Sequence, residues 1–343
     1  MSSLTPSDIN MDTPDNHMDD YDSPWKEGME LYFKELMQFF FPDIAARIAW
    51  DKGYQFLDKE LQQVVRDAEI GRRHADKLVR VWSLEDEPFH VMIHIEVQSD
   101  KDRDFPLRMY IYNYRIFDKQ YRPVTSLAIL ADENPSWRPA AYRSEQWGCK
   151  INFEFPTVKL FDYSDKIDTL LEKTNPFAII TAAHLKTKAT KNNPQERYTW
   201  KWTITRALYE KGFSTKNILS LYRLVDWLMM LPDDLTKQFT QNLIAYEEER
   251  KMPYITSAER IGIEKGRHEG RDEGMLFDAR EMLLEALDEK FSRDIPTDIH
   301  DQIKALNNRI LLKRLLRSAI QSKDIEDFRQ SMKALASETE SAE

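Results

Sequence analysis

The spacing of hydrophobic residues along the chain indicates two kinds of element. In the first half, several short runs alternate apolar and polar residues, as half-buried strands do, and helical segments lie between them. Strands are predicted at 76–82, 89–98, 124–131 and 153–160, and helices at 25–41, about 58–66 and 105–117. This pattern predicts an α/β fold in which helices frame a mixed sheet.

After about residue 166 the apolar residues recur every three or four positions, which predicts an all-helical carboxy-terminal region. The predicted helices cover 166–173, 176–187, 196–211, 215–230 and 233–248. Glycines at 262, 266, 270 and 274 then interrupt a helical pattern over 258–290, where each costs about 1 kcal/mol relative to alanine. Their spacing favours either close helix packing or a flexible connector. A leucine-rich segment over 297–335 predicts a small helical module.

The predicted organisation follows from these changes of pattern. Its parts are a disordered acidic tail (1–23), a sheet-containing domain (24–165), a helical region (166–256), a glycine-periodic connector helix (257–290), the small helical module (291–336) and a second acidic tail (337–343).

The net charge of −10 arises mostly from the two tails. They hold nine of the 59 acidic residues, which leaves 50 acidic against 49 basic groups in the rest of the chain. Local basic surfaces are therefore compatible with the composition, and so is a nucleic-acid partner.

Two function classes are disfavoured by the sequence. No apolar run is long enough to span a bilayer and no signal-like segment opens the chain, so we expect no membrane partner and a cytoplasmic location. The single cysteine, Cys149, excludes an internal disulfide framework and a thiolate metal site.

Polar residues with the chemistry of a metal site lie on the two strands of the first half that are adjacent in sequence. Asp76 begins one predicted strand, and Glu96 and Gln98 end the next on a shared face, because side chains alternate along a strand. If the strands pair, both carboxylates meet at one sheet edge, and the backbone carbonyl of Val97 adds a third oxygen. Oxygen ligands of this kind suit Mg²⁺, which assists phosphodiester hydrolysis.

These features resemble the PD-(D/E)XK nuclease superfamily, and more narrowly its Rpn branch of recombination-promoting nucleases and transposase-like proteins. The stretches that carry the resemblance are GYQFLDKELQQVV (53–65), GRRHADKLVRVW (71–82), HIEVQ (94–98), RMYIYNYRIFDK (108–119) and WGCKINFEFPTVKLFDY (147–163). The resemblance covers roughly 24–290, and the closing segment is similar to a helical domain often appended to such proteins.

The resemblance implies a restriction-endonuclease-like fold and a Mg²⁺-dependent DNA endonuclease, with Mn²⁺ as a possible substitute. Asp76 and Glu96 become metal ligands, and Gln98 stands where the superfamily usually has a lysine. A glutamine amide orients water but cannot take its proton, so the base stays open between metal-bound hydroxide, the substrate phosphate and His94. Superfamily members often add a glutamate from the first helix, here Glu35 or Glu30, with Glu35 slightly favoured.

Several basic residues near these strands are candidates for contacts with DNA phosphates. The candidates are Arg72, Arg73, Lys77 and Arg108. A solvated charged face explains each of them equally well. The helical carboxy-terminal region is a candidate surface for a homo-oligomer.

Three other functions remain open at this point. The chain could bind or assemble on DNA without cleaving it, or it could hydrolyse another phosphoester or a glycoside with the same carboxylates. A transition-metal site on His90, His94 and Glu96 is a less favoured reading, because no further ligand with suitable spacing is present.

Overall fold

A computed structural model describes the backbone of residues 22–59, 61, 75–85, 89–250, 257–291 and 295–340. The side chains of residues 22–23, 75–76, 257–273 and 336–340 are outside the described part. Predictions for the first 21 residues, for Arg72 and Arg73, and for most of the helix expected near 58–66 therefore fall outside it; residues 58, 59 and 61 are helical.

The first half of the chain forms helices and strands in alternation. These are α1 (Asp22–Leu31), α2 (Phe33–Phe40), α3 (Pro42–Ala45), β1 (Tyr54–Phe56), β2 (Ala75–Trp82), β3 (His90–Gln98), α4 (Phe105–Gln120), β4 (Val124–Leu130), β5 (Ala141–Gln146), β6 (Cys149–Glu154) and β7 (Thr157–Lys159).

The second half is helical throughout its described part. It comprises α5 (Ile167–Leu171), α6 (Pro176–Ala189), α7 (Pro194–Glu210), α8 (Thr215–Leu228), α9 (Asp233–Glu249), α10 (Ser257–Lys290), α11 (Thr297–Ala305), α12 (Arg309–Gln321) and α13 (Ile325–Glu340). No helix in the described ranges combines the length and the apolar character needed to cross a bilayer.

Within the described residues, five strands form one mixed sheet in the order β1-β2-β3-β4-β7. Strand β2 runs antiparallel to β1 and β3, whereas β3, β4 and β7 are mutually parallel. The carboxyl ends of β3, β4 and β7 and the start of β2 consequently lie at the same edge of the sheet. We call this the carboxyl edge.

Helices cover both faces of the sheet, so the side chains of β3 are buried on both sides. One face, which includes Val79, Ile95 and Ile129, shares a core with α1, α2 and the helices α5 to α9. The other face packs against α4, through Leu78 and Met92 in one cluster and through Ala128 and Leu130 in another. The sheet and the helices α5 to α9 therefore share one apolar core.

The carboxy-terminal helices have a second core of their own. It joins the later part of α10 to α11, α12 and α13 through residues such as Leu287, Ile303, Leu315 and Phe328. The end of the predicted connector helix is thus part of the small helical module.

The predicted α/β class and the helical carboxy-terminal region are confirmed, but some boundaries were wrong. The helix expected over 25–41 is interrupted at Tyr32, whose backbone (φ −136°) is not helical. The strand expected over 153–160 is divided at Pro156 between β6 and β7, which belong to different sheets. Strand β5 was not predicted; it pairs with β6 through a turn in which Trp147 and Gly148 both have positive φ.

Candidate active site

The polar residues at the end of β3 lie beneath α4, on the sheet face that this helix covers. His94, Glu96 and Gln98 alternate with buried apolar residues along the strand, and all three are themselves buried. Their neighbour from the helix is Arg108, which is also buried. The result is a small polar cluster inside an otherwise apolar layer.

Arg108 connects the strand to the helix through charged hydrogen bonds. Its Nε donates to Oε1 of Glu96 at 2.7 Å, and its Nη2 donates to Oε1 of Gln98 at 2.6 Å. Its Nη1 donates to a carboxylate oxygen of Asp102, in the loop between β3 and α4. A buried cation is stable only when acceptors surround it, and this guanidinium has them.

Glu96 has one oxygen that is bound and one that is not. Its Oε2 is buried and has no hydrogen-bond partner among the described residues. Burial raises the pKa of Glu96, and the adjacent guanidinium of Arg108 opposes that rise by stabilising the charged form. The unpartnered oxygen marks a position where a further positively polarised ligand would be stabilised.

His94 lies next to that oxygen. Its Nε2 is 4.0 Å from Oε2 of Glu96 and, like it, has no hydrogen-bond partner in the described chain, whereas its Nδ1 is 3.3 Å from the hydroxyl of Ser126. Burial lowers the pKa of His94 to about 3, with a further lowering from Arg108. The ring is neutral near pH 7, and its low basicity makes it a weak candidate for a general base.

Gln98 holds the chain that follows the strand. While its Oε1 accepts from Arg108, its Nε2 donates to the backbone carbonyl of Asp100 at 2.7 Å. Both ends of the amide are occupied, so the side chain fixes Arg108 and the loop after β3.

Asp76 is placed by the register of the sheet. Its Cα is the partner of Glu96 across the β2–β3 pair, and Ala75 is the partner of Val97. The sequence expectation that the two strands pair as neighbours is therefore confirmed at the level of the backbone. The Asp76 side chain lies outside the described part.

Val97 is paired on both sides in this central strand, with Ala75 in β2 and Ile129 in β4. Carbonyl groups in such a strand lie near the plane of the sheet and are directed at neighbouring strands. Both strands next to Val97 are thus paired with it, and its carbonyl as a third ligand stays a prediction.

The first-helix glutamates lie on the opposite side of the sheet from Glu96. Glu30 pairs with Lys77, whose position in β2 belongs to the other face. Glu35 lies near Tyr32 and Tyr54, where its charge raises the pKa of both phenols in addition to the larger effect of burial. The structure does not bring either glutamate to the Arg108 cluster.

The two described candidates for DNA contact are both buried in ion pairs. Lys77 donates to Glu30 and, at 2.7 Å, to Oδ2 of Asp58. Arg108 is held by Glu96 and Asp102 as described above. Neither cationic group is presented on the open surface of the described chain.

Further charged residues lie at the carboxyl edge, outside the Arg108 cluster. Lys159, at the end of β7, forms a buried ion pair with Asp132, which follows β4. Lys188 of α6 donates to the backbone carbonyl of Ser99 at 2.9 Å, and burial lowers its pKa. The edge thus combines cationic and anionic groups beside the end of β3.

One signal in the sequence pointed to the role of Arg108. The buried stripe of α4 contains Phe105, Met109, Tyr112 and Ile116, and Arg108 occurs within it at helical spacing. A charged residue inside an apolar stripe needs a buried partner of opposite charge. The hydrophobic pattern alone could not identify Glu96 as that partner.

Among the described side chains, no group of three or more His, Cys, Asp or Glu residues is arranged to hold a metal ion. Comparisons with protein-family models, with curated proteins and with solved structures find no match to this chain.

Proposed function

We propose that this protein is a Mg²⁺-dependent DNA endonuclease that hydrolyses phosphodiester bonds at the carboxyl edge of its sheet. The observation that carries the proposal is the register that pairs Asp76 with Glu96. Residues directly opposite each other in an antiparallel pair normally project from the same face, which favours two carboxylates converging on one ion.

The topology of the sheet supports the resemblance to the PD-(D/E)XK superfamily and its Rpn branch. Strands β1, β2 and β3 form an antiparallel meander, and α4 leads to β4, which lies parallel to β3. Helices cover both faces. A mixed sheet flanked by helices is what the resemblance implies, and Asp76 and Glu96 stand at the adjacent ends of β2 and β3.

The chemistry of the residues at this edge is compatible with a hard divalent cation. The unpartnered Oε2 of Glu96 provides one buried oxygen donor, and Asp76 would provide a second. When bound, Mg²⁺ or Mn²⁺ would supply positive charge opposite a phosphate and would lower the pKa of a nearby water.

The residues of the chain itself then have separate tasks. Arg108 holds Oε1 of Glu96, so that the other oxygen is left for the cation. Gln98 holds Arg108 in place rather than acting as a base. His94 is fully enclosed beneath α4, where its ring lies against Tyr112. We therefore propose that the proton of the attacking water passes to the substrate phosphate or to solvent.

Cleavage of supercoiled plasmid DNA in Mg²⁺ by the purified full-length protein tests this proposal. We expect nicking by the wild type, and a loss of roughly 100-fold or more in Asp76→Asn and Glu96→Gln, because metal-assisted catalysis contributes several kcal/mol. Glu96→Gln keeps an acceptor for Arg108 and so avoids leaving a buried cation unpaired. Asp118→Asn, on the exposed side of α4, is the matched control.

Undiminished cleavage by both site variants would refute the assignment of Asp76 and Glu96. An effect of the same size in Asp118→Asn would show that loss of acidic charge alone accounts for the result.

A second candidate function is DNA binding without turnover. The observation that favours it is the ion pair between Glu96 and Arg108, in which a cation of the chain itself offsets the charge of the carboxylate. On this reading the cluster only joins β3 to α4. A mobility shift of DNA, together with no cleavage in either Mg²⁺ or Mn²⁺, would favour this second candidate over the first.

A further inference from the structure

The exposed side of helix α12, in the carboxy-terminal module, is strongly basic. Its buried side packs into the second core through Leu311, Leu312, Leu315 and Ala319. The remaining side carries Arg309, Lys313, Arg314 and Arg317, and the helix contains no acidic residue. In a chain of net charge −10, this local excess of positive charge calls for an explanation.

Three of these cations have no partner within the described chain. Arg309, Lys313 and Arg317 are exposed, and each follows the previous one by four residues, so that they form a stripe with steps of about 6 Å along the helix. Like charges at this spacing destabilise a helix.

Four acidic residues of α11, of α13 and of the turn before α13 are engaged elsewhere. Asp298 and Glu326 form ion pairs with Arg329. The carboxylates of Asp324 and Asp327 accept hydrogen bonds from backbone amides near the start of α13. The stripe on α12 is therefore open to an external polyanion.

We propose that the exposed face of α12 binds the phosphate backbone of duplex DNA, as a contact surface additional to the carboxyl edge. The choice of DNA as the polyanion rests on the proposed function. Its chemical basis is the match between a regular row of cations and a regular row of phosphates, which release their counterions on binding.

The local geometry of the module supports a duplex as the partner. Helices α11 and α12 are joined by three residues, a connection length found in helix-turn-helix pairs, in which the second helix faces the nucleic acid. Ile310, in the first turn of α12, is 74% exposed. An apolar group at the start of such a helix suits contact with a thymine methyl group.

The test measures binding of the full-length protein to a fluorescently labelled DNA duplex in the presence of EDTA, so that cleavage does not intervene. The test variant is Arg309→Gln/Lys313→Gln/Arg317→Gln. Glutamine keeps a helix propensity close to that of lysine and arginine, which protects the fold. The matched control, called the body variant, removes three exposed lysines from the helical region before α10. Its substitutions are Lys211→Gln/Lys216→Gln/Lys237→Gln.

We expect the α12 variant to bind about tenfold more weakly than the wild type. Each phosphate contact contributes roughly 0.9 to the slope of log affinity against log salt concentration, so the slope of the variant should be less steep by about 2 to 3. The body variant should bind like the wild type. Equal effects in the two variants, no effect in the α12 variant, or no DNA binding by the wild type would each overturn the proposal.

A parallel measurement with phosphatidylserine vesicles distinguishes a lipid surface from DNA. Vesicle binding that is lost in the α12 variant, with unchanged DNA binding, would also overturn the proposal. Separate cleavage assays distinguish failure of the proposed nuclease activity from failure of the proposed DNA contact. If the wild type does not cleave DNA but the α12 variant still binds DNA more weakly than the wild type, only the proposed enzymatic function is refuted.

Discussion

At the scale of single residues, the charged groups buried next to the sheet decide how the site can work. Arg108 makes contact with three different side chains, two from the end of β3 and one from the following loop. Such a guanidinium fixes both the helix and the strand that it joins. The geometry of Glu96 therefore depends on where α4 packs.

His184 of α6 provides a prediction of how stability depends on pH. Trp25 donates to its Nδ1, and its Nε2 lies 3.2 Å from the carbonyl of Ala131, which fits a neutral ring with the proton on Nε2. Burial lowers the pKa of His184 from 6.5 to about 3. The unfolded chain binds a proton below its ordinary pKa while the folded chain does not, so the free energy of unfolding falls as the pH drops through this interval.

The expected contribution of His184 is about 1.4 kcal/mol per pH unit in the interior of this interval. Urea denaturation at several pH values should show a flatter dependence for His184→Gln than for the wild type between pH 6 and 4. His300→Gln is the control, because the side chain of His300 in α11 is 40% exposed, whereas that of His184 is buried. Identical slopes for all three proteins would contradict the assignment of a neutral, buried His184.

Part of the candidate site could be predicted from the sequence, and the reason lies in the period of two along strands. The alternation placed His94, Glu96 and Gln98 on one face, and the strand pairing on which the predicted site depended is present. Arg108 was predicted as a candidate DNA contact, whereas its partners are side chains of the chain itself, across a contact between helix and strand. Hydrophobic periodicity carries no information about which charged residues meet across such a contact.

At the scale of elements, the helices of the second half were the easiest to predict. Several have a capping side chain at their start. Those of Asn175, Asn193 and Ser214 accept hydrogen bonds from the first turn of the following helix. The β5–β6 hairpin was missed because much of its surface is exposed, so its sequence lacks a clear apolar face.

The hairpin turn provides a prediction about local stability. Trp147 has φ 49° and is 97% exposed, so a large side chain occupies a left-handed backbone conformation without packing in return. Two positive φ values in succession favour Asn-Gly in a two-residue turn. We expect Trp147→Asn to raise the free energy of unfolding by about 1 kcal/mol, measured by thermal or urea denaturation.

Gly148→Ala serves as the opposite control, because Gly148 has φ 85° and no atom lies within 4 Å of an added Cβ. Any loss of stability there reports backbone strain alone. A Trp147→Asn protein less stable than the wild type would show that the indole makes a contact that the exposed turn does not suggest.

At the scale of the whole molecule, the described residues form a large core on one face of the sheet, two smaller clusters beneath α4 and a separate core in the carboxy-terminal module. The sequence predicted the module but not how the first core is shared. The apolar residues of α6 and α8 pack with those of the sheet, although long stretches of sequence separate them. Periodicity identifies the buried side of each element, whereas the partner of that side is set by tertiary packing.

Two separate cores lead to a prediction for core substitutions. Leu315→Ala should destabilise the module by about 2 to 5 kcal/mol, since it opens a cavity in the second core. Amide hydrogen exchange should then show lost protection over 276–335 and normal protection in the sheet. Ile95→Ala, in the first core, is the reciprocal variant, and loss of protection throughout the chain in both would indicate a single cooperative unit.

Lys77 shows how this architecture affects the interpretation of mutagenesis. It is the residue next to Asp76, and its ammonium joins β2 to Glu30 of α1 and to Asp58. Replacing Lys77 would leave two carboxylates facing each other with no cation between them, and the start of β2 would be released from both. A loss of cleavage in such a variant would result from displacement of Asp76. If basic residues were replaced only to find DNA contacts, this loss would be wrongly attributed to a contact between Lys77 and DNA.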